Sequence, residues 1–484
     1  MTRYVSTRGG VAPVDFETAV LQGFAPDGGL YVPATIPRIS PEQLHLWSRL
    51  EFVDLAFEII SQFIDPAVMA ADDLHRLLAG SFRQFEHPDI IPVVPLKSRP
   101  DTYIMELFHG PTLSFKDVAM GFLVNTVDYF LDRNNDWISL VVATTGDTGP
   151  AAAHAALGKK HIQCWVLFPQ GMISDEQARQ MTTLKADNVH AVGVTGCTDG
   201  GDDLDRVLAR MFADDDLKQR LKLSSVNSIN WCRVMVQAVH YFYSYFRVVE
   251  QIGEKVAFAV PTGAFGNLFG GYLARSLGLP VEAFILANNQ NAALHRTLST
   301  GRFTRAEVKP SLSSAIDIGV PYNFWRYLYF ACGGNSAQIR QWMADLQQKG
   351  VVELDAETAG AIRQGFLSAS VSDQETLDTM ARVYQGPDGY VMDPHTAVAL
   401  TAAEKCTGRL AAGTKVICLA TAHAAKFPDT VKKALAPQGR LPGQAQHNTI
   451  ENAKNLSQNM HIWDLPELAS ALPQAMQSAA LYKP

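Results

Sequence analysis

The sequence predicts an α/β protein in which parallel sheets are covered by helices on both faces. Short, almost wholly apolar runs alternate with helical segments through most of the chain, as at 138–143 and 256–260. Strands that are apolar throughout are typical of parallel sheets buried on both faces. Both of these runs lead into a glycine-containing turn and then a helix, which is the repeating unit of such folds. An N-terminal cap domain is expected before this region.

The first 93 residues differ in character from the rest of the chain. A Gly/Pro-rich opening at 27–33 precedes helical patterning at 54–60, and no residue spacing there indicates chemistry. A Pro-rich stretch between Pro88 and Pro100 marks a boundary. We therefore interpret residues 1–93 as an N-terminal domain.

The α/β region is expected to span residues 94–436 in two subdomains, about 102–250 and 251–436. Its predicted strands are 138–143, 162–168, 189–194, 256–260, 281–287 and 416–420. Ser174 and Gln177 have the spacing of a helix capping box, and a long aromatic-rich helix is expected from Trp231 to about Val249. A helical insertion is predicted near 330–390, and residues 437–484 are interpreted as a C-terminal tail.

Composition narrows the functional class. The 484 residues are 47% apolar and 18% charged, as in a soluble globular protein of two to four domains or subdomains. A net charge of -7 argues against nucleic-acid binding. The six cysteines lack metal-ligand spacing, so no metal site is expected. Neither a signal peptide nor a membrane span is recognised, which favours a cytoplasmic protein without a membrane partner. The oligomeric state, monomer or homodimer, stays open.

One lysine has the setting of a nucleophile. Lys116 lies in the turn 109–117, just before an apolar-periodic run from Val118 to Leu131 that predicts a helix. The positive end of that helix disfavours the charged amine, which favours the nucleophilic neutral form. For the Lys-Asp pair alone, a surface lysine at a helix start is the simpler interpretation.

Two loops have the setting of anion sites. Segments 144–149 and 263–267 each join a strand to a helix, where backbone N–H groups and the helix dipole attract phosphate or carboxylate. Neither has the motif of an ATP-binding or dinucleotide-binding loop, and each alone could be a simple tight turn. A lysine able to form a Schiff base, two anion loops and an α/β framework together indicate pyridoxal 5'-phosphate as the cofactor.

The segment His109-Gly110-Pro111-Thr112-Leu113-Ser114-Phe115-Lys116-Asp117 closely resembles the cofactor-lysine motif of the threonine synthase family. Other segments that resemble family motifs, in the family's order, are 4–9, 27–30, 227–233, 393–398 and 420–423 with Lys426-Phe427. The resemblance covers nearly the whole chain. It implies the tryptophan-synthase-β-like fold (fold type II) and conversion of O-phospho-L-homoserine and water to L-threonine and phosphate.

The resemblance also implies roles for individual residues. Lys116 would form the Schiff base and then move protons. The implied cofactor contacts are Asp147 at the phenolic oxygen, Thr421 at the pyridine nitrogen, and Gly263, Ala264, Phe265, Gly266 and Asn267 at the phosphate. The implied substrate contacts are Thr144, Thr145 and Thr148 at the carboxylate, and Asn227, Ser228 and Arg233 at the phosphate. Arginine suits that place because its planar fork binds phosphate oxygens in pairs, although an internal carboxylate would serve Arg233 equally.

Several positions depart from the family pattern. Ala264 stands where the family usually has Asn, and Thr145 stands where it has Ser. The segments 313–318 and 322–326 are also altered, and Trp325 in the second stands where the family has Glu. These departures leave two alternatives open: a phospho-lyase that releases a 2-oxo acid and ammonia, or a paralogue that makes a non-standard amino acid. A catalytically silent paralogue is disfavoured by Lys116. His109, His395 and His423 are compatible with structural as well as catalytic roles.

Overall fold

The computed structural model describes residues 2–198, 200–435 and 439–479. Strands in these residues are β1 (Tyr4–Ser6), β2 (Tyr31–Pro33), β3 (Val93–Leu96), β4 (Arg99–Glu106), β5 (Ile138–Ala143), β6 (Ile162–Pro169), β7 (Val189–Thr195), β8 (Leu223–Ser224), β9 (Val256–Pro261), β10 (Val281–Asn288), β11 (Arg302–Thr304), β12 (Val351–Glu353), β13 (Phe366–Ser370), β14 (Lys415–Ala420) and β15 (His461–Asp464).

The helices of the same residues are α1 (Phe16–Gln22), α2 (Pro41–Trp47), α3 (Phe52–Ser61), α4 (Ala71–Phe82), α5 (Lys116–Asn134), α6 (Thr148–Ala156), α7 (Asp175–Thr182), α8 (Gly201–Ala213), α9 (Asp215–Arg220), α10 (Trp231–Val248), α11 (Gly266–Leu277), α12 (Ala293–Thr300), α13 (Phe324–Ala331), α14 (Ser336–Lys349), α15 (Ala356–Gly365), α16 (Asp373–Gln385), α17 (Pro394–Cys406), α18 (Pro428–Leu435), α19 (Asn448–Lys454) and α20 (Leu465–Ala479). Short 3-10 turns lie at Ser314–Ile316, Thr407–Arg409, Ala424–Lys426 and Gly443–Ala445.

A six-stranded sheet forms the centre of the molecule, in the order β13-β10-β9-β14-β4-β3. All its neighbouring strands are parallel except the edge pair of β3 and β4. Along β9, Ala257 and Ala259 pack in the cluster that contains α17, whereas Phe258 and Val260 pack with α5, α10 and α11. This alternation buries the sheet on both faces and confirms the predicted α/β class.

A second sheet, in the order β15-β7-β6-β5-β8, is parallel throughout. Residues Val141 and Leu167 of its strands pack with α8 and α20, while Val142 and Val166 pack in the main core with α5 and α6. The six apolar runs of the sequence are all strands, each within one residue of its predicted bounds. Their length and their Val, Ile and Leu content identified them because no polar residue interrupts them.

The structure adds strands where the sequence predicted none. The predicted helical insertion near 330–390 also supplies β13, the edge strand of the central sheet. Two residues of its sequence, Phe-Leu-Ser-Ala-Ser, are serines, and three of its five side chains are only partly buried. The predicted tail 437–484 likewise supplies β15 to the second sheet, and its helix α20 packs against that sheet. Residues 437, 438 and 480–484 of that tail lie outside the described residues.

The N-terminal segment packs tightly on the α/β region. Its hairpin of β1 and β2 and its helices α1 to α4 bury side chains in the same hydrophobic core as α5 and α10. Tyr4, for example, is fully buried and donates its hydroxyl to the carbonyl of Phe63 at 2.7 Å. In the described part of the chain, no helix is long and apolar enough to cross a bilayer.

Candidate active site

Lys116 is the first residue of α5, as the sequence predicted. The turn before it is attached to the carboxyl end of β14. The Phe115 N–H donates to the Thr421 carbonyl at 2.8 Å, and the His423 N–H donates to the Leu113 carbonyl at 3.0 Å. The lysine side chain is only 11% exposed. The structure therefore excludes a surface lysine and brings Thr421 next to Lys116.

The turn takes its shape from Asp117. The Asp117 carboxylate accepts the Thr112 N–H at 2.8 Å and the Thr112 hydroxyl at 2.6 Å. Gly110 is required beside it, because a β-carbon there would lie 2.5 Å from the β-carbon of Asp117. Burial raises the pKa of Asp117 to about 6, against these hydrogen bonds. Asp117 thus fixes the loop that carries Lys116.

The environment of Lys116 favours its neutral amine. Burial lowers the pKa of Lys116 to about 8, Asp147 opposes this shift, and the charges of Arg233 and Lys426 reinforce it. An amine with a pKa near 8 has an appreciable neutral fraction at physiological pH. Lys116 is therefore able to act as a nucleophile and as a base.

Asp147 lies between two lysines. Its carboxylate is 3.9 Å from Lys116 Nζ and 2.8 Å from Lys426 Nζ, and it accepts from Gln177 Nε2 at 2.9 Å. Burial alone would raise the pKa of Asp147, but Lys426 and Lys116 hold it well below its usual value. The carboxylate therefore stays charged beside the amine of Lys116, which is compatible with its predicted place near the cofactor.

Lys426 is a charged residue of the site that the sequence reasoning did not single out. It is fully buried, pairs with Asp147 and donates to the Thr112 carbonyl at 2.7 Å. Its cation joins the first loop to the Lys116 turn and neutralises Asp147. The sequence could have indicated it, because a lysine among the apolar residues of 424–427 is expected to be buried. A buried lysine in turn requires an anionic partner.

The first anion loop uses one of its threonines internally. The Thr144 hydroxyl accepts the N–H groups of Gly146 and Gly149, each at 3.1 Å. Thr145 is exposed, and Thr148 is half-buried at the start of α6. Thr145 and Thr148 are therefore the hydroxyls that remain for a ligand, while Thr144 shapes the loop around them.

The second anion loop joins β9 to α11. Phe265 has a left-handed backbone with φ 65°, which turns the chain into the first turn of α11. Gly263 is needed because a β-carbon there would lie 2.9 Å from the Cα of Ile316. Asn267 accepts at Oδ1 from His240 and Tyr241, and its buried Nδ2 has no partner. Gly263, Ala264, Phe265, Gly266 and Asn267 thus lie at the N terminus of a helix with an amide donor unused.

Arg233 is a buried cation on α10. Its Nη1 donates to the Val226 carbonyl at 3.1 Å, its Nε has no partner, and burial lowers its pKa to about 10. In the described residues no carboxylate forms an ion pair with it. Asn227 and Ser228 precede α10, and the Ser228 β-carbon is 3.7 Å from the position that a β-carbon on Gly266 would take. The predicted substrate-phosphate segment therefore meets the second loop.

The departures from the family pattern differ in their distance from these loops. Trp325 is 2% exposed, and its ring packs 5.4 Å from that of Phe303 in the core. The segment 313–318 instead lies against Gly263, where the Ala315 N–H donates to His395 Nε2 at 3.1 Å.

The three histidines make structural contacts. His395 also bonds Asp393 at 2.6 Å and so holds the turn of Ala315. His109 bonds Glu106 at 2.8 Å, and His423 Nδ1 accepts the Ala425 N–H at 3.1 Å. Each of the three rings therefore holds a turn or loop at the edge of the site.

Several buried donors of the site have no protein partner. They are Ser114 Oγ, Arg233 Nε, Asn267 Nδ2 and Asn323 Nδ2. Buried polar groups without partners are rare, and these four lie in the Lys116 turn, on α10, in the second loop and beside that loop. They fit a ligand with a phosphate and a reactive carbonyl, which pyridoxal 5'-phosphate supplies. The parallel α/β fold, the buried lysine and the helix-terminal anion loop define a pyridoxal-phosphate-dependent enzyme.

Comparison with known proteins gives the family. Residues 3–82 match the family described as threonine synthase N terminus, 91–422 the pyridoxal-phosphate dependent enzyme family, and 396–467 the family described as threonine synthase, C-terminal. The threonine synthase of Schizosaccharomyces pombe is 38% identical over 464 residues, covering 90% of this chain and 89% of that protein. Threonine synthase-like 2 of Xenopus laevis is 38% identical, with 89% and 90% covered.

A solved structure agrees with this result. The structure of the pyridoxal-phosphate-bound threonine synthase of Brucella melitensis superposes with a TM-score of 0.91 at 35% identity, covering 99% of both chains. The chain therefore belongs to the threonine synthase family, and it is a pyridoxal-phosphate-dependent lyase of fold type II.

Replacing Lys426 with methionine should shift the titration of Lys116. In this variant Lys426 no longer pairs with Asp147, and its positive charge no longer lowers the pKa of Lys116. We expect the pH midpoint for attachment of the cofactor to rise above that of the parent protein, because only the neutral amine attacks. Stability should fall by about 3 kcal/mol, the low end for removing one partner of a buried pair. Absorbance-monitored reconstitution across pH and denaturant unfolding measure the two effects.

The matched control is Lys433→Met, an exposed lysine on the neighbouring α18. It should leave both the midpoint and the stability unchanged. A Lys426→Met protein that is destabilised but has an unchanged midpoint would show that Lys426 only holds the fold together.

Proposed function

We propose that this enzyme converts O-phospho-L-homoserine and water to L-threonine and phosphate. Lys116 carries the cofactor, and the second loop, from Gly263 to Asn267, holds the cofactor phosphate. A substrate phosphate then needs a cation of its own near Lys116.

Arg233 is the observation that carries the proposal. Its guanidinium is buried, close enough to lower the pKa of Lys116, and its Nε lacks a partner. A buried guanidinium without an anionic partner is costly, and phosphate is the anion that its planar fork suits. Asn227 and Ser228 in the preceding loop add polar groups at the same end of α10. A phosphorylated amino acid fits this second anion site.

Side chains of the protein bind the substrate and transfer its protons. The bound cofactor supplies an electron sink for negative charge that develops on the substrate carbons. Lys116 Nζ takes and returns protons at Cα and Cβ, since its pKa of about 8 suits both directions. Thr145 and Thr148 orient the substrate carboxylate at the N terminus of α6. Arg233 neutralises the departing phosphate, and water then adds at Cβ.

Identification of the product tests the proposal. The purified holoenzyme is given O-phospho-L-homoserine, and released phosphate, threonine, 2-oxobutyrate and ammonia are quantified together. One threonine for each phosphate supports the proposal. Phosphate with 2-oxobutyrate and ammonia contradicts it, as does the absence of phosphate release from a protein that shows the cofactor's visible absorbance.

The elimination to a 2-oxo acid and ammonia is the second candidate. The relative named threonine synthase-like 2 is as similar to this chain as the relative named threonine synthase, so similarity does not separate them. The altered segment 313–318 lies against Gly263 at the site, where it could change the fate of the substrate. Because both reactions release phosphate, the carbon product and the release of ammonia distinguish them.

A further inference from the structure

Asn323 is a buried amide at the edge of the second loop. It is fully buried just before α13, and its N–H donates to the Ala264 carbonyl at 3.1 Å. Its side-chain oxygen accepts from Arg326 Nη1, whereas its Nδ2 has no partner. A buried amide nitrogen without an acceptor is costly, so a ligand atom is expected at this place.

Arg326 fixes the orientation of that amide. It is fully buried, its Nε donates to the Tyr31 carbonyl at 3.0 Å, and its Nη2 donates to the Ile229 carbonyl. In the described residues no carboxylate forms an ion pair with it. Because a guanidinium only donates hydrogen bonds, the oxygen of Asn323 must face Arg326 and the nitrogen must face away.

The nitrogen faces the N terminus of α11. Asn323 Nδ2 lies 3.3 Å from the position that a β-carbon on Gly266 would take, at the first residue of this twelve-residue helix. The first turn of a helix leaves its N–H groups free for an anion. Asn267 repeats the arrangement, since its oxygen is held by His240 and Tyr241 while its buried nitrogen is unpartnered.

The loop itself offers few other side-chain donors. Thr262 gives its hydroxyl to the Val260 carbonyl at 2.6 Å, and Ala264 has no polar side chain. We propose that Asn323 Nδ2 binds the phosphate of the cofactor at the N terminus of α11, and that Arg326 is the positioning residue that aims it. The inference rests on the proposed seat of the cofactor phosphate and is independent of the substrate.

The isosteric variant Asn323→Asp tests this role. The new carboxylate keeps, and strengthens, the contact with Arg326 but presents an oxygen to the phosphate. We expect the affinity of the cofactor-stripped full chain for pyridoxal 5'-phosphate to fall about 10- to 100-fold, the value of one hydrogen bond to a charged group. Affinity for pyridoxal, which lacks the phosphate, should not change. Both are measured by absorbance titration, which requires no turnover.

The control is Asn335→Asp, an exposed helix cap of α14 at which aspartate serves as well as asparagine. It should bind both compounds as the parent does. Equal losses for both compounds in Asn323→Asp would overturn the proposal in favour of a purely structural residue. An unchanged cofactor affinity, with a raised KM for phosphohomoserine, would also overturn it and assign Asn323 to the substrate.

Two further variants test the role of Asn323 in case the aspartate variant does not fold. Asn323→Ala should lose affinity for pyridoxal 5'-phosphate selectively, and adding Ala264→Asn should restore part of it by supplying an amide from the loop. A selective loss with rescue supports the role of Asn323. The absence of a selective loss in a folded Asn323→Ala protein overturns it.

Discussion

The Lys116→Ala protein is expected to lack both turnover and the visible absorbance of a lysine-bound cofactor. Alanine can neither form the Schiff base nor move protons at the substrate carbons. The loss should exceed about 10³-fold, because general acid–base catalysis alone contributes about 10²- to 10⁴-fold. Absorbance of the purified protein and phosphate release from O-phospho-L-homoserine measure the two effects.

Folding should survive this change. Lys116 lies at the first position of α5, and the turn before it is held by Asp117 and by the backbone contact of Phe115 with Thr421. The matched control is Lys349→Ala, an exposed lysine on α14 that should keep full activity. A Lys116→Ala protein that retains the parent's absorbance and turnover would remove the basis of the assignment.

The sequence was sufficient for the parts of the structure that depend on uninterrupted local patterns. The six apolar runs became strands because each is buried on both faces, and Lys116 began a helix because an apolar period follows it. The capping box of Ser174 and Gln177 also formed, since both of its contacts join residues close in sequence. Local chemistry of this kind needs no knowledge of the tertiary contacts.

Features set by distant contacts were not predictable in the same way. Lys426 and Asp147 form an ion pair although they are 279 positions apart in the sequence, so no local pattern indicates it. Two of the five residues of the edge strand β13 are serines, so its apolar pattern is weak. The ring of Trp325 lies in the core against Phe303, while Arg326 beside it reaches Asn323. On a helix, neighbours in sequence face different directions, so only the packing decides which one meets the site.

Arg233→Gln is expected to weaken substrate binding while the enzyme still binds its cofactor. Glutamine keeps a donor for the Val226 carbonyl but loses the charge and the unpartnered Nε. A hydrogen bond to a charged group contributes about 1.5–3 kcal/mol, so the KM for O-phospho-L-homoserine should rise about 10- to 100-fold. Inhibition by inorganic phosphate should weaken by a similar factor. Steady-state kinetics and the absorbance of the bound cofactor measure these effects.

The same variant should also shift the pH dependence. The charge of Arg233 is one cause of the low pKa of Lys116, so its removal should raise the pH midpoint for cofactor attachment above that of the parent protein. Arg247→Gln on the same helix is the control, because Arg247 is exposed and stacks on Tyr243. A higher KM alone could come from any damage to the binding site. A higher KM together with a raised midpoint requires that the lost cation lay near both the substrate and Lys116, whereas an unchanged KM would exclude Arg233 as the phosphate ligand.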